Sequence, residues 1–131
     1  MRLDVPSDLG MVGDAVELVA THIPPGTLSP RRISFNLRTA LAEALGNAIR
    51  YGTREDPVKS VRVRIELRPD AVRIWVQDGG TGFDHGHLPD PTAPENLERE
   101  DGRGLFVIRH LVDDVAFNEK GNDICLTLRA G

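Results

Sequence analysis

The sequence predicts an α+β fold, a two-layer sandwich in which helices cover one face of a mixed, mostly antiparallel sheet. Three observations predict it. Apolar residues recur at helical spacing in two early blocks, Leu9 to Val19 and Ile33 to Ala48. They switch to alternation from Val58 to Val76, broken by a Pro69-Asp70 turn. A second short strand pair closes the chain around Lys120-Gly121-Asn122. Helices in blocks and strands in hairpins favour this architecture over an alternating parallel one.

Each element follows in order. Arg2 to Val5 alternates enough for a first strand. Pro6-Ser7 then supplies a turn and a candidate N-cap, and Leu9, Val12, Val16 and Val19 make a helix that must stop before Pro24-Pro25-Gly26. Ser29-Pro30 opens a second helix, a capping hydroxyl followed by proline at the first helical position. That helix turns Ile33, Leu37, Leu41, Ala44, Leu45 and Ala48 inward and ends near Tyr51-Gly52. Val61, Val63, Ile65 and Leu67 alternate with arginines and Glu66, and Val72, Ile74 and Val76 form their antiparallel partner. Gly79 to Gly104 holds six glycines and three prolines with almost no apolar pattern. Such a stretch inside a domain is a lid, a binding loop or a disordered segment. A short helix follows, with Leu105, Ile108 and Leu111-Val112 on its apolar side. Val115 to Phe117 and Ile124 to Leu128 complete the last hairpin.

The 131 residues suit one domain, 1–131, and are too few for two ordinary ones. With 40% hydrophobic and 27% charged residues the chain reads as globular, and its short apolar runs leave no membrane span. MRLDVPSDLG lacks the apolar core of a secretory signal. The single cysteine, Cys125, excludes an internal disulfide and fits a reducing, cytoplasmic setting. With no local base or helix start beside it, Cys125 reads as a small apolar strand residue. A net charge of −4 argues against nucleic acid as the main partner.

Three patterns carry chemistry. Ala42-Glu43-Ala44-Leu45-Gly46-Asn47-Ala48 places a carboxylate and a carboxamide four residues apart, on one helix face. Its neighbours are otherwise apolar or small, so the pair either edges into solvent or addresses one small site. Asp78-Gly79-Gly80-Thr81-Gly82-Phe83 follows a strand end. It is either an Asp-Gly turn or a carboxylate ready to accept hydrogen bonds beside glycines that admit a ligand. Gly102-Arg103-Gly104-Leu105 starts the third helix, where free N–H groups and a cation suit phosphate. Neither a dinucleotide fingerprint nor a Walker A sequence is present.

In this order and spacing the three patterns resemble the N, G1 and G2 boxes of the GHKL ATPase superfamily, which shares the Bergerat ATP-binding fold. ALAEALGNAIRYG, VQDGGTGFD and GRGLFVIRHLVDDV carry the likeness, and LDVPSDLGMV extends it over nearly the whole chain. Within the superfamily it is nearest to the stand-alone serine/threonine kinases that act as bacterial anti-sigma factors.

The resemblance implies a role for each matching residue. Glu43 would be the general base that takes the proton of the attacking hydroxyl. Asn47 would give its side-chain oxygen to Mg²⁺, and Asp78 would bind the adenine amino group of ATP. Gly80 and Gly82 would let the base lie against backbone, and Gly102 and Gly104 would close over the phosphates. Arg50, Phe83, Arg103 and Leu105 complete the nucleotide contacts. The implied partners are a sigma factor and a STAS-type anti-anti-sigma protein as phosphoacceptor, with a homodimer as the assembly and neither nucleic acid nor membrane involved.

The last hairpin departs from the pattern. Where many relatives carry threonine after the glycine, Asn122 and Asp123 follow Gly121. His85 and His87 with Asp84 or Asp90 lack a full ligand set, so no metal site is expected there. Trp75 falls on the strand face opposite Ile74 and Val76, open to a partner or covering a sheet edge. Two other functions compete with the kinase. One is a catalytically silent ATP-binding module that acts by sequestration, which retention of Glu43 and Asn47 disfavours. The other is the ATP-binding domain of a histidine-kinase-like protein, disfavoured because no dimerisation helix with a phosphoacceptor histidine precedes it.

Overall fold

The computed structural model describes residues 1–78, 100–118 and 123–130, with the backbone alone for 100–105. Its strands are β1 (Arg2–Pro6), β2 (Ser60–Leu67), β3 (Ala71–Gln77), β4 (Asp114–Phe117) and β5 (Asp123–Arg129). They form one sheet in the order β1-β2-β3-β5-β4, and every pairing is antiparallel. The helices are α1 (Val12–His22), α2 (Arg38–Asn47) and α3 (Glu100–Leu111). The α+β sandwich expected from the alternation is therefore present, its mostly antiparallel sheet antiparallel throughout the described residues.

Local chemistry explains the boundaries. Ser29 Oγ accepts the Arg32 N–H at 3.3 Å, and Pro30 occupies the first helical position, as its fixed φ allows. The helix that follows is not uniform. α2 proper is flanked by π-helical segments, Arg32–Leu37 before it and Ala48–Gly52 after it. Such wide turns are rare overall and frequent at functional sites. Ser7 does not cap α1. The Asp8 carboxylate takes that position instead, accepting the Gly10 N–H at 2.8 Å to start a 3₁₀ turn, Leu9–Met11, ahead of α1. Ser7 is buried, and its hydroxyl bonds that of Thr53, itself buried. A hydroxyl with a buried partner is worth more there than at a solvated helix start.

The hairpin register puts Val63 opposite Val76, Ile65 opposite Ile74 and Leu67 opposite Val72, so one face collects the apolar side chains. That face, with Leu126 and Leu128 of β5, packs under Val16 and Val19 of α1 and Leu41 and Leu45 of α2. Ile108 of α3 joins the same core and is almost fully buried. On the other face the Arg64 guanidinium lies 4.8 Å from the centre of the Trp75 ring, directly across from it in register. β3 is the central strand, so Trp75 covers no sheet edge; it is half-buried beneath Arg64. Among the described residues no helix is long and apolar enough to cross a membrane.

Candidate functional site

α2 and the end of β3 bring the site together. Ile74 and Val76 point to the helix-covered face, and Asp78, two residues on, continues that alternation as the strand ends. Its carboxylate lies against Gly52, the last residue of the π-helical segment after α2. A Cβ built on Gly52 would stand 2.6 Å from Asp78 Cβ and closer still to the carboxylate. Only a residue without a side chain leaves that room.

Asn47 and Glu43 precede Gly52 on the same helix, about 7 and 13 Å back along its axis. Both are half-buried, and they stand among buried Ala40, Ala44, Leu45 and Gly46. One continuous helix thus sets Asp78, Asn47 and Glu43 in succession along its axis, the carboxylate of Asp78 at one end and that of Glu43 at the other. Arg50 lies between Asn47 and Gly52, also half-buried.

α3 packs against α2. It spans Glu100–Leu111, starting earlier than its apolar pattern indicates. Gly102 and Arg103 fall among its first four residues, whose N–H groups have no intrahelical acceptor, and Gly104 and Leu105 follow. Gly80, Gly82 and Phe83 lie outside the described residues, as do His85, His87, Asp84, Asp90, Gly121 and Asn122.

Among the described residues no three His, Cys, Asp or Glu side chains gather to hold an ion. One carboxamide oxygen, at Asn47, suits a magnesium ion that keeps several waters and binds mainly through phosphate oxygens. Asp123 faces away from the site. It is paired with Gln77 in register and sits on the Trp75 face, where burial raises its carboxyl pKa and Arg64 draws it back down. Burial likewise pushes the Cys125 thiol up, which opposes any nucleophilic role. An open groove lined by Ile23, Pro25, Leu28, Ile33 and Arg38 contains none of Glu43, Asn47 or Asp78.

Gly52 is the residue that sequence reasoning undervalued. A glycine at a helix end has an ordinary explanation in backbone freedom. The second reason, that Asp78 needs the space, comes from a residue 26 positions away.

The family model for the histidine kinase-like ATPase domain matches residues 5–128. The serine-protein kinase RsbW of Oceanobacillus iheyensis is 30% identical over 91 residues, 65% of this chain and 58% of that protein. The serine-protein kinase RsbW of Staphylococcus aureus is 32% identical over 98 residues, 69% of this chain and 62% of its own. The chain thus spans about three fifths of the length of these relatives.

Proposed function

The chain belongs to the histidine kinase-like ATPase domain family, and on that footing we propose that it is an ATP-dependent serine/threonine protein kinase serving as an anti-sigma factor. It phosphorylates a STAS-type anti-anti-sigma protein and sequesters a sigma factor in the cytoplasm. It works as a homodimer, and the nucleotide state biases which partner is held. Support for the kinase comes from relatives named serine-protein kinases at 30% and 32% identity. The single observation that carries the site is the Asp78 carboxylate seated against Gly52, on the helix that also bears Asn47 and Glu43.

In this reading Asp78 accepts a hydrogen bond from the adenine amino group, and Gly80, Gly82 and Phe83 border the base. Gly102, Arg103, Gly104 and Leu105 meet the phosphates at the start of α3, and Arg50 adds positive charge between the two ends. Asn47 would hold magnesium, which neutralises phosphate charge when bound. Glu43 accepts the proton of the substrate hydroxyl as its oxygen attacks the γ-phosphorus and the bond to ADP breaks. Most of the acceleration then comes from position and charge, not from covalent chemistry with the protein.

Transfer of labelled phosphate from ATP to a STAS-type partner tests this, with Glu43→Ala as control. Wild type should transfer, and Glu43→Ala should bind ATP yet transfer at least a hundredfold more slowly, the usual scale of a lost general base. ATP binding without transfer by wild type would leave a silent sequestering module. An acid-labile product would indicate phosphohistidine and a histidine-kinase-like activity.

A further inference from the structure

The segment ahead of α2 reaches across to the far end of α3 with two side chains. Asn36 Nδ2 donates to the Leu111 carbonyl at 2.9 Å. Leu111 is the last residue of α3, so its carbonyl is one of the four that no intrahelical N–H can reach. Four residues earlier, Arg32 Nη2 donates to Asp113 Oδ2 at 2.5 Å, and the same oxygen accepts the Arg129 backbone N–H at 2.6 Å. The end of α3 is therefore tied to α2 on one side and to β5 on the other. Both donors sit in the π-helical segment Arg32–Leu37.

Of the described side chains of α3, Ile108 is almost fully buried and Phe106 and Leu111 are half-buried, while Val107, Arg109 and His110 are exposed. The polar ties at its end help set the tilt of α3. Twelve residues span about 18 Å, so a tilt of roughly 4° at the clamp moves the first turn by about 1 Å. An error of about 1 Å in the placement of reacting groups can cost about a hundredfold.

We propose that Asn36 and Arg32 are positioning residues for the phosphate end of the nucleotide site. They set where the first turn of α3 lies relative to Asn47 and Glu43 on α2. This rests on the nucleotide-binding reading above and adds two residues to it that touch no nucleotide themselves.

The test is isothermal titration of the full chain with ATP and Mg²⁺ and, separately, with adenosine, which has the base but no phosphates. Wild type is compared with Asn36→Asp, which keeps the shape but removes the donor, and with Arg32→Gln. Both variants should lose about tenfold or more in ATP affinity while adenosine affinity stays within about twofold. Unchanged ATP affinity in both would overturn the inference, and so would an equal fall for ATP and adenosine, which marks general loosening. If Asn36→Asp does not give a cooperative thermal transition, Arg32→Gln carries the same comparison. Absence of ATP binding by wild type would instead remove the nucleotide-binding reading, a different failure from either of these.

Discussion

The carboxylate of Asp78 fills the space that any side chain at Gly52 would need, with only 2.6 Å from a hypothetical Gly52 Cβ to Asp78 Cβ. That separation is below what real Cβ atoms tolerate, and the obstacle is a short side chain rooted at a strand end, which cannot swing far. The two residues come from the end of the α2 helix and the end of β3. Their contact fixes the Asp78 carboxylate against the helix that carries Asn47 and Glu43.

Gly52→Ala should separate binding from folding. Alanine favours helix over glycine by about 1 kcal/mol, which offsets part of the overpacking cost of about 1–3 kcal/mol. Stability should change little while ATP affinity falls about tenfold or more, as Asp78 is pushed aside. Calorimetric titration beside a thermal melt checks both; full affinity in the alanine variant would show that Asp78 does not need that position.

Ser7 and Thr53 form a buried hydroxyl pair joining the end of β1 to the end of the long helix, and Thr53 also donates to the Ile49 carbonyl at 3.2 Å. Ser7→Ala alone should cost about 1–3 kcal/mol, because the Thr53 oxygen, whose own proton goes to Ile49, loses the donor it accepts from at a buried position. The double variant Ser7→Ala/Thr53→Val should cost less than the sum of the singles, as measured by urea unfolding. Strict additivity would mean that the hydroxyls do not act as a pair.

Glu17 is held below the ordinary carboxylate range by its hydrogen bond from Arg38, with burial working the other way. The unfolded chain therefore binds this proton more readily than the folded one. The stability that results is present above the ordinary value of 4.5 and is lost as pH falls through the lower folded value. Glu17 is exposed and Arg38 half-buried, so the effect is small and salt-sensitive. Denaturation midpoints of Glu17→Gln should decline less than wild type below pH 4.5, and the difference should shrink in high salt.

Cys125 is half-buried in β5 with its thiol pushed upward by burial, helped down only partly by Thr127. At pH 8 it should react with a thiol reagent more slowly than free glutathione does, by about tenfold. A rate equal to or above that of glutathione would indicate an activated thiol.

Much of this fold was legible in the sequence because period and punctuation agree. The alternation from Val61 to Val76 returned as the β2–β3 register, and Ser29-Pro30 returned as a true cap. Glu43 and Asn47 were visible as a polar pair among small residues, and the helix does carry both half-buried. What escaped depends on distant partners. Ser7 looks like a cap until Thr53 arrives beside it, and Gly52 looks like a helix stop until Asp78 does. The π-helical turns at either end of α2 have no signature in periodicity, since Leu37 and Ile49 remain buried through the change of pitch. Asn36 and Arg32 carry no local sequence signal, because their partners, Leu111 and Asp113, are 75 and 81 residues away.

Titration of wild type and Asp78→Asn with ATP and Mg²⁺ tests the central claim most directly. Wild type should bind, and the variant, which keeps the shape of Asp78 but loses its charge, should bind at least about tenfold more weakly. Equal affinity in the two proteins would contradict the assignment of Asp78 and, with it, the nucleotide site built around Gly52, Asn47 and Glu43.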